Sequence, residues 1–257
     1  MSSISTIIPL ASSSVSTSLS IGTSLPALRR GAYGEIIGAV GGRTPTQIFA
    51  EFEAALPTEF VSFDKAGRGD ALNLDLYGWD ADQHVAVVQI RHAFRRYRNG
   101  YLGLHKDYVL VGHNEETGQP FRHPVSASAV RAAIRKSPDD PGAAVRGGQR
   151  WMWGVSERQL RESLAAGLRQ GDILLVRERT PGGVLEAMPS EVTIAESHVV
   201  RAARIVRGSN GRVYADSPSL WHAKNQHAPV FADRDGWYSV RAADEADTWQ
   251  WGERLGD

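Results

Sequence analysis

Three groups of residues in this 257-residue chain have the types and spacing that chemistry needs. The first is Trp221-His222-Ala223-Lys224-Asn225-Gln226-His227-Ala228-Pro229, with Glu196-Ser197-His198 upstream of it. Two histidines at i and i+5 cannot face the same way on a helix or a flat strand, so bringing His222 and His227 together requires a turn, which Asn225 can supply. Converged with His198 and Glu196, they form three imidazoles and one carboxylate, a donor set suited to Zn or Fe. Glu196 would then ligate the ion or act as general base on its bound water. The alternative is that each imidazole bonds a loop carbonyl and the cluster never forms. The spacing matches no established metal motif.

The second group is Arg91, Arg95, Arg96 and Arg98 interleaved with Phe94, Tyr97 and Tyr101. Guanidinium groups pair with phosphate and aromatic rings offer a face to bases, so such a surface suits RNA or single-stranded DNA. Residues 85–150 carry eleven Lys or Arg against five Asp or Glu, while residues 228–257 carry three against seven. The formal net charge of zero therefore hides a dipolar layout. The alternative is a solvated face, or arginines paired with the acidic C-terminal stretch. The third group is His105, His113 and His123. His105 and His113 share a face only if one strand runs unbroken between them.

Several signatures are missing. There is no Walker loop, no GxGxxG after a strand, no HExxH and no GxSxG, which argues against nucleotide hydrolysis and serine hydrolase chemistry. The absence of cysteine excludes a thiol nucleophile, a disulfide framework and Cys-ligated zinc, and agrees with a reducing, cytoplasmic location. No run of about twenty apolar residues is present to cross a membrane as a helix.

The elements that must position these groups can be read from periodicity and caps. Thr44-Pro45-Thr46-Gln47 has the form of a capping box and starts a helix whose buried face is Ile48, Phe49, Phe52 and Leu56. Leu72, Leu74 and Leu76 alternate with Asn73, Asp75 and Tyr77, which predicts a strand with one wet face. HVAVVQI at 84–90 and YVLVG at 108–112 predict two more strands in an antiparallel meander. Ser126 caps a short helix. Residues 138–148, with two Pro and three Gly, predict a linker. Ser156 and Gln159 form a second capping box with a Val155/Leu160 staple, opening a helix on which Leu160, Leu164 and Leu168 face inward. Strands follow at 172–178, 192–195, 199–207, 212–215 and 237–241.

The chain is therefore expected to be α+β: a Ser-rich disordered tail over 1–27, an antiparallel-sheet domain with short helices over 28–137, a linker over 138–150, and a capped helix with a small, mostly-β barrel or sandwich over 151–257. From Arg169-Gln170-Gly171-Asp172-Ile173-Leu174-Leu175-Val176 onward the sequence resembles a family of small, mostly uncharacterised bacterial proteins. The shared marks are that RQGD-plus-strand opening, a His-containing strand (here His198), an H-x(2–4)-H-A-P segment (here His222 to Pro229) and a G-x-Y strand (here Gly236-Trp237-Tyr238). The chain departs from the family in keeping one histidine, His198, where two flank a small residue, and in ending on Arg241-Ala242-Ala243-Asp244 instead of a Gln-Arg-Glu-Tyr run. The resemblance covers about a third of the chain and implies a domain, not a reaction.

Three readings of function stay open. One is a non-enzymatic binding or adaptor protein whose basic, aromatic surface contacts nucleic acid. Another is a metal-dependent enzyme built on His198, His222 and His227. The last is a structural subunit of a larger assembly, contacting other proteins through the N-terminal tail and Trp-rich loops. Whether the three imidazoles converge separates them.

Overall fold

The structure, a computed structural model, describes residues 30–31, 34–53, 71–95, 102–114 and 118–246, with the side chains of 71–73, 92–95 and 102–105 left out. The Ser-rich segment 1–27 lies outside the described residues. The fold is α+β, with four helices and three antiparallel sheets among the described residues. None of these helices is long and apolar enough to cross a membrane.

The first sheet is the expected meander, extended by one strand: β1 (Ala71–Asp80), β2 (Val85–Arg95), β3 (Leu102–His113) and β4 (Pro120–Val125) follow in order. Both of its faces are covered, which is why β2 and β3 read as continuous apolar runs. On one face, α1 (Pro45–Glu51) and the segment before it pack Ile36, Val40, Ile48 and Phe52 on Leu76, Val88, Ile90 and Val111. On the other, α2 (Ala127–Lys136) and α3 (Ala143–Met152) lay Val130, Ile134 and Val145 on Tyr77, Val87 and Leu110. The wet face expected for β1 is thus wet only at its Asp75 end, because Tyr77 is fully buried edge-on against Tyr108. A bulge between Leu76 and Gly78 shifts the parity of β1, so that Leu76 and Trp79, three residues apart, enter the same core.

The segment expected as a linker, 138–150, instead contains the first eight residues of α3, most of them buried. Its glycines serve close packing. A Cβ on Gly147 would lie 2.6 Å from the Cβ of Ala133 in α2, and one on Gly148 would lie 3.4 Å from Val125. Composition alone does not distinguish a glycine that frees the backbone from one that lets two helices touch.

The capping box at Ser156 and Gln159 forms as expected and starts α4 (Glu157–Ala165). The helix stops sooner than the leucine spacing implied. Gly167, in the left-handed region, donates to the Leu164 carbonyl and Leu168 donates to that of Ser163, a Schellman stop. Leu168 consequently leaves the helix and enters the core of the β domain, while Leu160 stays in the helical core.

That β domain is sandwich-like, with no closed barrel. One sheet runs β5 (Arg169–Gln170), β6 (Ile173–Glu178), β14 (Trp237–Ala242), β11 (Val213–Asp216), β10 (Ile205–Gly208) and β7 (Leu185–Met188). The other runs β13 (Val230–Phe231), β12 (Ser219–His222), β9 (His198–Arg201) and β8 (Glu191–Ile194). The strand expected over 199–207 is broken between β9 and β10, which lie in different sheets. Ile173, Leu175, Val200, Leu220 and Tyr238 fill the space between them. β6 is the seam of the molecule: Ile173 and Leu175 face the sandwich core, while Leu174 and Val176 face the helical core. Fully burying a side chain of this kind stabilises by about 1.5–3 kcal/mol, so the seam couples the two halves.

Candidate functional site

The antiparallel pairing of β9 and β12 sets His198 directly opposite His222, and their rings meet edge to face with centroids 5.0 Å apart. The loop after β12 then turns back. Asn225 takes a left-handed conformation (φ 52°) and its N–H donates to the His222 carbonyl at 2.9 Å, the reversal that the i, i+5 spacing demanded. It brings His227 to within 5.1 Å of His222 and 6.4 Å of His198, ring centre to ring centre. His198 and His222 are buried, whereas His227 is partly exposed.

The connection between β5 and β6 closes the cluster. It is a two-residue turn, Gly171-Asp172, with Gly171 left-handed at φ 56°. A side chain there would put its Cβ 3.3 Å from Nε2 of His198 and 3.4 Å from Nε2 of His227, so the glycine keeps open a gap that both nitrogens flank. Asp172 is anchored through its carbonyl, which accepts from the Trp153 indole at 2.9 Å and from the Ala243 N–H at 3.0 Å. Its Oδ1 lies 3.6 Å from Nδ1 of His198.

The partners assign the ring protons of His222 and His198. Nδ1 of His222 accepts from the backbone N–H groups of Lys224 and Gln226, both at 3.3 Å, so the neutral ring carries its proton on Nε2. Nδ2 of Asn114, at the end of β3, lies 3.1 Å from Nδ1 and 3.4 Å from Nε2 of His227, so it holds the edge of that ring without fixing its tautomer. His198 is the opposite case to His222. The Ser197 hydroxyl donates to the Ala195 carbonyl, so its oxygen accepts from Nδ1–H of His198 at 3.0 Å, with the Asp172 carboxylate behind it. Nε2 is then the unprotonated nitrogen of His198. Nε2 of His198 and Nε2 of His227 thus flank the gap at Gly171.

This donor set does not fit a resident Zn or Fe. A ligating imidazole normally presents a bare nitrogen to the ion and donates its other N–H outward. Here His222, whose Nδ1 accepts two backbone N–H groups, has the reverse tautomer, and among the described residues no group of three or more His, Asp or Glu is placed to hold a metal ion. Glu196 does not join the cluster. It sits exposed in the turn between β8 and β9 at φ 61°, and the carboxylate beside His198 is Asp172. In the sequence Asp172 belongs to the RQGD opening. Its signal was a carboxylate directly after a turn glycine at the mouth of a strand.

The cluster forms one wall of a cleft of about 300 Å³ between the sandwich and the first sheet. His113 and His123, seen in sequence as a separate group, line it together with Asn114, Asp172 and His227. β3 is unbroken from Leu102 to His113, which meets the condition set for His105 and His113, although the His105 side chain is outside the described set. His113 stacks on Phe52 at 5.7 Å, and Nε2 of His123 lies 3.0 Å from the Asp244 carbonyl.

The basic group divides differently. Arg91 lies on β2 with its guanidinium on Asp75, at 2.8 and 2.9 Å. Burial raises the Asp75 carboxyl, and Arg91 pulls it back down. Phe94 and Arg95 lie on the same strand with their side chains left out, and Arg96, Tyr97, Arg98 and Tyr101 lie outside the described residues. Of the tryptophans proposed for protein contacts, Trp79 and Trp153 are core residues.

The class this defines is an α+β protein with a histidine-lined cleft between a helix-covered sheet and a β sandwich. The chain matches no protein-family model, no curated protein and no solved structure.

Proposed function

We propose that the protein is a metal-independent acid–base enzyme acting on a small molecule held in the cleft. His198 is its base and His227 its acid. Asp172, 3.6 Å behind Nδ1 of His198, stabilises the imidazolium that forms when Nε2 takes a proton. His222, fixed by two backbone N–H groups, holds its ring against both. The observation that carries the reading is the pair of Nε2 atoms, of His198 and His227, on either side of Gly171, with the Asp172 carboxylate behind the first ring. A base and an acid so arranged can remove a proton from one atom of a bound molecule and return one to another, the work of an isomerase or a lyase.

The cleft volume supports a small ligand over a polymer, since about 300 Å³ is at the lower end for metabolite sites. The nucleic-acid reading draws on one described side chain, Arg91, whose charge is engaged by Asp75. Deuterium exchange tests the proposal. The protein is incubated in D2O with a mixture of small metabolites, and mass spectrometry identifies those that gain label at carbon. Label that appears with the wild type and vanishes with both His198→Gln and His227→Gln supports it. Label that neither variant alters, or stoichiometric zinc or iron in the purified protein, defeats it.

A further inference from the structure

Resting on that reading of the cleft, we infer that Gln170 sets its specificity: the carboxamide reads a hydrogen-bond donor, an O–H or N–H, on a small molecule whose body is otherwise apolar. The reading atom is Oε1 of Gln170.

Gln170 ends β5, one residue before Gly171, and lines the cleft while only 3% exposed. Its Nε2 donates to the Ala228 carbonyl at 2.6 Å. That bond fixes which way the carboxamide points, because exchanging its oxygen and nitrogen would set two oxygens against each other. Oε1 is consequently the end left over, buried and without a hydrogen-bond partner. An acceptor in this condition is uncommon and costly, because burial takes it from water without a substitute. A ligand that donates repairs it, whereas a ligand carbonyl, ether or carboxylate does not. A site built in this way rejects the analogue that lacks the donor, since the buried acceptor then stays unpaired. The chain also says where the donor belongs. Gln170 adjoins Gly171, and the carbonyl that holds it belongs to the residue after His227, so the group it reads lies beside the atoms that His198 and His227 serve. Val85, Phe121, Met152 and Leu164 line the same cleft and suit an apolar body.

Neutral probe pairs that differ only by methylation of the donor test this in an NMR titration of the full chain: indole against 1-methylindole, and phenol against anisole. The donor-bearing member is expected to bind about fivefold more tightly and to shift the side-chain amide signal of Gln170. Discrimination within one pair and not the other decides between N–H and O–H. Gln170→Met, which keeps the length of the side chain without the acceptor, is expected to bring the members of each pair to equal affinity. The wild-type comparison needs no variant, so the test survives if Gln170→Met does not fold. Equal affinity within both pairs in the wild type, no binding by any of the four at millimolar concentration, or a preference that Gln170→Met retains overturns the inference. The acid–base reading fails separately. Donor preference without deuterium exchange supports the specificity and defeats only the chemistry, and exchange confined to metabolites that lack an O–H or N–H overturns the specificity alone.

Discussion

The first sheet and the sandwich both bury polar side chains, but they treat them differently. In the sheet, Tyr108 Oη receives the Gln89 amide and the Arg131 Nε, the latter at 2.8 Å, and Arg91 holds Asp75. The Tyr108, Gln89 and Arg131 contacts lie beneath α2, the Arg91–Asp75 pair at the wetter end of β1, and in both a side chain is held by one neighbour within the sheet and its helices. At the end of the sandwich, three imidazoles and a carboxylate are gathered around a gap kept open by a glycine, beside a cleft. Polar groups locked singly into a core specify the fold, whereas polar groups assembled around open space can act on something that enters it. Substitutions in the two regions should therefore separate stability from site chemistry.

The largest effect is expected at Gly147, on the supporting side. Leucine there must push α3 off Ala133 and the Ala129 carbonyl, at a cost of about 3 kcal/mol. Because β6 belongs to both cores, urea unfolding of Gly147→Leu should stay a single transition at a lower midpoint, and the histidine signals should be lost with it. A midpoint that does not move would mean that residues 143–152 behave as the linker their composition suggested.

Next is Tyr108→Phe, which strands the fully buried Gln89 amide and removes an acceptor from Arg131. A loss of about 2 kcal/mol is expected. The imidazole nitrogen signals of His198, His222 and His227 should not change, and a shift in them would show that the sheet's polar network reaches the cleft.

Gly171→Ala is the converse. The left-handed backbone costs about 1 kcal/mol with a Cβ, and that Cβ sits against both Nε2 atoms. Gly154→Ala is the control, with φ 60° and open space around it, so it carries the same strain without the contact. Nitrogen spectra should shift at His198 and His227 in the first variant and in neither ring in the second. Equal spectra would remove the gap from the site.

The same contrast explains what could be read in the sequence. The caps at Thr44, Ser126 and Ser156 and the apolar runs of β2 and β3 were legible because they are local, set by hydrogen bonds three residues away or by alternation along one strand. His198, His222 and His227 were legible as candidates by residue type, and Asn225 as the turn between two of them. Asp172 and Asn114 were not legible as their partners, because a turn at residue 171 and a strand end at residue 114 meet the histidine loop only through tertiary packing. Glu196 is near His198 in sequence, yet it is exposed in the turn between β8 and β9, whereas Asp172 reaches His198 from another strand. The glycines of α3 misled for a related reason, since what they touch lies in another helix.

The smallest effect tests whether the contrast belongs to the regions or to the way a polar group is held. Tyr238 lies in the sandwich core, yet like Tyr108 it is held by fixed partners: its single hydroxyl proton is shared between Asp233 Oδ1 at 2.6 Å and the Arg234 carbonyl at 2.9 Å. Burial, reinforced by Asp233, pushes the phenol up to about 12, and the phenol in turn is the main cause holding the Asp233 carboxyl below its usual range. A raised phenol contributes stability in full below its unfolded value of about 10, and that contribution is lost as pH climbs from there through the folded value. A depressed carboxyl contributes above its unfolded value of about 3.9, and its contribution is lost as pH falls through the lower folded value. Stability against pH should therefore show a plateau with a limb falling at each end, and Tyr238→Phe should flatten both limbs while leaving the histidine signals unchanged. If the substitution instead disturbs His198 or His227, the sandwich transmits strain to its cleft end, and single fixed partners no longer mark a group as purely structural.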